Sequence, residues 1–237
     1  MKVRGFLALC ALVAAALPVA ALAQAWQCSV PAHWPRPAIE RPDGPVRRVP
    51  VTGYTLALSW SPEFCRSHRG SAAQRMQCGG GNGRFGFVVH GLWPEGAATF
   101  PQWCAKVAQP APPVAAGQFC RTPSPALISH AWAKHGSCAF RRPEVYFRVS
   151  NILADAMRYP DMARLSRDRA LNAGALRQAL AQTNPGRPPQ SFGLLLSRGG
   201  WLREVRVCLD QRYRPRRCPA RNAGPRDSAR VSIWRSF

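Results

Sequence analysis

The sequence predicts one α+β domain, and three observations carry that reading. Strand-like segments stand near both ends of the chain, with helix-like segments between them. The composition is globular, with 46% of the 237 residues hydrophobic and 19% charged. No internal repeat is visible, and no linker-like stretch follows residue 50.

Residues 1–23 read as a secretory signal. Lys2 and Arg4 form the basic start, Phe6 to Leu17 the apolar middle, and Ala21-Leu22-Ala23 a small-x-small cleavage site. A membrane anchor would need about 20 apolar residues, and Pro18 interrupts a shorter run. The expected product is exported, periplasmic or extracellular, with no membrane span. Residues 24–50 are rich in proline and arginine and read as an irregular N-terminal arm. The domain is expected over 51–237, including an arginine-rich tail.

Within it, Gly53 to Trp60 reads as a strand and Cys65 to Gly83 as a polar loop ending in the run Gly79-Gly80-Gly81-Asn82-Gly83. Arg84 to His90 reads as a buried strand, and Gly91 to Pro123 as a long proline-rich loop tied down by Cys104 and Cys120. Ser124 to His135 turns helical: Ser124 can cap, Pro125 suits the first turn, and Gly136 is a stop. Glu144 to Tyr159 is a second helix with Val145, Val149, Ile152, Leu153 and Ala156 on one face. Arg169 to Thr183 is a third, ended by Asn184-Pro185-Gly186. Phe192 to Leu196 and Trp201 to Leu209 are strands joined through Gly199-Gly200.

The charge is lopsided. Lysine and arginine number 33 against 11 acidic residues, a formal net charge of +22. Only Lys2, Lys106 and Lys134 are lysines, so arginine carries the excess. Such a surface suits a polyanion: nucleic acid, or an anionic membrane or wall. The chain has no amphipathic segment that favours the membrane. Cys10 leaves with the signal. The eight cysteines that remain suggest four disulfides, in any of roughly a hundred connectivities. The absence of a C-x-x-C pair argues against a zinc cluster.

Three of the five histidines fall in two short segments, Phe87–Glu95 and His130–Cys138. His90 is read at the end of a strand, before a glycine turn, at the rim of a sheet. His130 and Lys134 are four apart and share a helix face. His135 follows at the helix end. A lone histidine is more often a packed or surface residue. Two imidazoles from different elements beside an ammonium group are what phosphodiester cleavage next to a ribose 2′-hydroxyl needs. One takes the 2′-hydroxyl proton, the other protonates the leaving 5′-oxygen, and the cation offsets charge on the phosphoryl oxygens. His130 and His135 are five apart with no carboxylate between them, a poor metal pattern, so neither metal nor cofactor is expected.

Phe87-Val88-Val89-His90-Gly91-Leu92-Trp93-Pro94 and His130-Ala131-Trp132-Ala133-Lys134-His135-Gly136-Ser137-Cys138 closely resemble the two active-site segments of the ribonuclease T2 family. Tyr54 to Trp60 with Cys65, and Trp201 to Leu209 with Cys218, extend the resemblance over roughly 53–218. It implies an α+β fold with an antiparallel-rich central sheet packed against several helices and stabilised by disulfides. It implies metal-independent endonucleolytic cleavage of single-stranded RNA through a 2′,3′-cyclic phosphate, by a monomer. By position it makes His90 and His135 the catalytic pair, Lys134 and His130 the phosphate binders, and Trp93 a base-stacking residue. It also implies the bridges Cys104–Cys138 and Cys208–Cys218, with Cys65–Cys78 plausible and Cys28–Cys120 remaining. One position departs: the family usually has glutamate where this chain has Ala131. Reduced turnover, or a noncatalytic RNA- or polyanion-binding protein on the same fold, are the two consequences open at this point.

Overall fold

A computed structural model describes residues 28–35 and 40–235. The signal segment 1–23 and Cys10 lie outside the described residues. The architecture is α+β. Four strands form one antiparallel sheet: β1 (Gly53–Trp60), β2 (Phe87–Glu95), β3 (Phe192–Leu196) and β4 (Leu202–Asp210), in the order β2-β1-β4-β3. The longer helices are α1 (Ser61–Arg66), α2 (Pro125–Lys134), α3 (Pro143–Asp155) and α4 (Ala173–Thr183). Among the described residues, no helix is long and apolar enough to cross a membrane.

Strand alternation sorts the side chains onto two faces. Tyr54, Leu56, Leu58 and Trp60 of β1 and Val205, Val207 and Leu209 of β4 enter the main core. There they meet Tyr146, Phe147, Leu153 and Ala154 of α3 and Leu176 and Leu180 of α4. The opposite face carries Thr55 and Ser59 of β1 and Glu204 and Arg206 of β4. The main core is therefore on one side of the sheet, and the other carries these polar groups together with a small apolar cluster of Phe85, Val88 and Phe119.

Several boundaries differ from those read in the sequence. Strand β2 does not stop at His90; it continues through Gly91 and Pro94 to Glu95. Ala57 pairs with Gly91 and Leu58 with Val89, so His90 is the extra residue of a β-bulge. The segment after Cys65 is not a plain loop, since α1 ends in it and a helical turn covers Arg75–Cys78. A helical turn also spans Pro112–Ala116 within the long proline-rich segment. Helix α3 ends at Asp155, and its buried face runs through Tyr146, Phe147, Ser150, Leu153 and Ala154. Ile152, read as part of the apolar face, is exposed; burying two adjacent aromatic rings outweighs burying the aliphatic stripe. Helix α4 begins at Ala173 because Asn172 caps it, its side chain accepting from the Ala175 amide at 2.8 Å.

Four disulfides join Cys28 to Cys120, Cys65 to Cys78, Cys104 to Cys138 and Cys208 to Cys218. The arginine-rich C-terminal segment is part of the fold. Val231 and Ile233 are buried in the main core, and the Trp234 carbonyl accepts from the Trp60 indole at 2.7 Å. Arg177 of α4, itself buried, donates to the carbonyls of Phe192, Ala223 and Pro225 and pairs with Asp227.

Candidate active site

The bulge in β2 and the end of α2 bring the two histidine segments together. A bulge leaves its extra residue out of the ladder and bends the strand. His90 is thereby turned onto the polar face of the sheet. Helix α2 starts cleanly: the Ser124 hydroxyl accepts from the Leu127 amide at 3.3 Å, and Pro125 takes the first position. It presents His130 and Lys134 on one face while Ile128, Ala131 and Trp132 are buried. After Lys134 the chain tightens into a 3₁₀ turn at Gly136–Cys138. That change of pitch turns His135 off the His130–Lys134 row.

His90, Trp93, His130, Lys134, His135 and Arg206 line one cavity of about 360 Å³. A second cleft of about 680 Å³ shares His90, Trp93, His130 and Arg206 and runs on past Phe64 and His68. The His135 ring lies against Trp93 at 5.3 Å between centroids, and His90 meets the same indole edge-on at 5.1 Å. Arg206 stands over the indole at 5.4 Å. Trp93 therefore contacts both imidazoles.

The two imidazoles have different surroundings. His90 is partly exposed, and its Nδ1 lies 2.7 Å from Glu204 Oε2. Glu204 is buried and also accepts from Arg206 Nε at 2.8 Å and Ser59 Oγ at 3.3 Å. Burial alone would raise this carboxyl; the hydrogen bonds and charges of His90 and Arg206 bring it below its ordinary value instead. An ionised Glu204 accepts from Nδ1–H, which aims His90 Nε2 at the cavity. His135 is 8% exposed, and no partner is bonded to its Nδ1. Burial, then the cations and imidazoles around it (Lys134, His130, His90), hold it well below the ordinary histidine value. It is neutral at neutral pH and can accept a proton.

The cation side is built from α2 and the arm. His130 Nδ1 lies 3.1 Å from Glu40 Oε2, and Lys134 Nζ donates to Asp43 Oδ2 at 2.7 Å. Sequence reasoning missed Glu40, Asp43, Glu204 and Arg206. A signal for the last two was present, because a Glu-x-Arg pair interrupts the apolar run of β4. Two further acids line these spaces, Glu95 the smaller cavity beside Ala131 and Glu63 the larger cleft. Glu63 accepts from Ser197 at 2.8 Å, and Glu95 is held by Arg221, Asn222 and Thr55.

Two glycines are needed for close packing here. A Cβ on Gly91 would stand 2.8 Å from the Trp93 indole nitrogen, and one on Gly136 2.4 Å from the Trp132 ring. Gly136→Ala is expected to destabilise the fold by about 1–3 kcal/mol through overpacking. Denaturant unfolding checks this, and an unchanged midpoint would refute it.

The ribonuclease T2 family model matches residues 52–183. This chain belongs to the ribonuclease T2 family. It is 34% identical over 187 residues to a probable ribonuclease of Haemophilus influenzae, a match spanning 73% of this chain and 63% of that protein. It is 32% identical over 165 residues to a ribonuclease of Aeromonas hydrophila, covering 67% of this chain and 71% of that protein. The solved structure of trichomaglin, described as an S-like ribonuclease, superposes with a TM-score of 0.60 at 20% identity. That superposition covers 77% of this chain and 97% of the other. The arm with Glu40 and Asp43 precedes the family-matched residues.

Proposed function

We propose that this protein is an exported, metal-independent endoribonuclease that cleaves single-stranded RNA through a 2′,3′-cyclic phosphate. The observation that supports it most is one cavity lined by two imidazoles that both contact Trp93, together with His130 and Lys134. Neutral His135 takes the proton of the ribose 2′-hydroxyl, and the 2′-oxygen attacks phosphorus. His90, oriented by Glu204, protonates the departing 5′-oxygen. Lys134 and His130 donate to the non-bridging oxygens as charge builds there. The larger cleft offers room for the neighbouring nucleotide. Signal-like residues 1–23 and four disulfides support export, to the periplasm or beyond the cell.

The test is incubation of an oligoribonucleotide with the protein in the presence of a chelator. The expected products end in 2′,3′-cyclic phosphate, and the matching deoxyoligonucleotide stays intact. Absence of cleavage, or cleavage that His90→Ala leaves unchanged, would overturn the reading. Ala131 favours a second reading, RNA binding without turnover on the same fold, and the same assay separates the two. The net charge of +22 also predicts that binding of that deoxyoligonucleotide weakens by at least tenfold between about 50 and 200 mM salt. A flat dependence would remove electrostatic capture from the account.

A further inference from the structure

We propose that Glu40 and Asp43 of the N-terminal arm are positioning residues for the phosphate side of the site, holding His130 and Lys134 ready to donate to the scissile phosphate. The inference rests on the ribonuclease reading above. Helix α2 has no carboxylate of its own in Pro125–Lys134, and Ala131 lines the cavity where one could stand. Glu95 lines the same cavity but is held by Thr55, Asn222 and Arg221, and the carboxylates that pair with His130 and Lys134 come from the arm.

The arm is tied down from several sides. Arg47 and Gln102 exchange backbone hydrogen bonds at 2.9 Å in both directions. The Gln102 side chain donates to the Pro45 carbonyl at 2.8 Å, and Arg48 Nε to the Cys104 carbonyl at 2.8 Å. Trp103 then links arm and helix. Its indole donates to Asp43 Oδ1 at 3.0 Å, and its amide donates to the Lys134 carbonyl at 2.9 Å. It does so from a left-handed backbone, φ 54°, that a bulky residue rarely adopts. Asp43 therefore spends one oxygen on a neutral indole and directs the other at Lys134.

The arrangement leaves the donors that the reaction needs. An ammonium group has three protons, so pairing with Asp43 leaves two for a phosphate. Lys134 and Trp103 hold the Asp43 carboxyl below its usual range against the opposing effect of burial, so the pair persists into mildly acidic solution. Glu40 accepts from His130 Nδ1–H, and when the ring is protonated its Nε2–H, 3.8 Å from Asp43 Oδ2, is the donor for a substrate oxygen. Glu204 likewise accepts from His90 Nδ1–H across the cavity. Fixing a long lysine chain before substrate arrives removes that ordering from the reaction step.

The experiment compares wild type, Asp43→Asn, Glu40→Gln, the double variant, Asp43→Glu and His90→Ala. Cleavage kinetics on an oligoribonucleotide, thermal midpoints and binding of the matching deoxyoligonucleotide are measured for each. The double variant is expected to lose about tenfold or more in kcat, with KM within about threefold and the midpoint unchanged, and Asp43→Glu to recover part of the loss. Equal or faster turnover with tighter deoxyoligonucleotide binding would make Asp43 a competitor of phosphate and overturn the proposal. A loss that only follows the folded fraction would overturn it too. The ¹⁵N shifts of His130 at mildly alkaline pH give an answer whether or not RNA is cut. The proton sits on Nδ1 in wild type, and Glu40→Gln relaxes that preference; an Nε2-protonated ring in wild type refutes the role of Glu40. His90→Ala tests the ribonuclease reading separately, since it leaves the arm contacts untouched.

Discussion

Replacing His135 by alanine is expected to lower the rate of RNA cleavage by about 10²–10⁴-fold, the range for loss of a positioned general base. His90→Ala is expected to remove the proposed partner proton transfer and to fall in the same range. The two effects do not multiply in the double variant, because both groups act in one reaction sequence. The pH profile identifies which imidazole is the base. Burial first, then the neighbouring Lys134, His130 and His90, depress the His135 pKa. A base with a depressed pKa stays unprotonated as the solution is acidified and fails only when the pH falls through that lowered value. The acid limb of kcat/KM is therefore expected below the ordinary histidine pKa of about 6.5. An acid limb at or above that pH, or a His135→Ala variant within tenfold of wild type, would take the base role away from His135.

Removing the Cys104–Cys138 bridge, by replacing both cysteines with alanine, is expected to destabilise the protein by about 4 kcal/mol. The bridge closes a sequence separation of 34 residues, and the chain-entropy model assigns about that much to such a loop. For a domain of this size the thermal midpoint falls by roughly 10 °C. The bridge joins the loop carrying Trp103 to the turn after α2, so activity should fall before global unfolding. Its loss frees both the residue that orients Asp43 and the turn that aims His135. Calorimetry beside an activity–temperature series checks both parts. Coincident loss of activity and fold at an unchanged midpoint would show that the bridge stabilises neither.

The local parts of the site were legible in the chain. Ser124, Pro125 and Gly136 mark α2 by elementary capping chemistry, and a spacing of four puts His130 and Lys134 on one face. The strands Gly53–Trp60 and Phe192–Leu196 follow from alternation and turn residues. The exposure of His90 was read for the wrong reason, because a glycine after a histidine suggests a turn. The core residues Phe87, Val89 and Leu92 break strict alternation at His90. That break was the available sign of a bulge inside a continuing strand. The face of α3 was misjudged because two overlapping apolar stripes run along it, and only packing against the sheet selects one.

The sequence by itself determined the elements, the pairing of two histidine-bearing segments with a lysine, the basic charge and the family. Each depends on neighbours a few residues apart or on summed composition. Tertiary structure alone decided which carboxylate faces which imidazole. Glu204 reaches His90 across β1, and Glu40 and Asp43 reach α2 from about ninety positions upstream. It also decided that His135 is buried beside Lys134, His130 and His90, surroundings that hold its pKa well below the ordinary value. Both outcomes depend on distance and dielectric between groups far apart in the chain, and no local pattern encodes these.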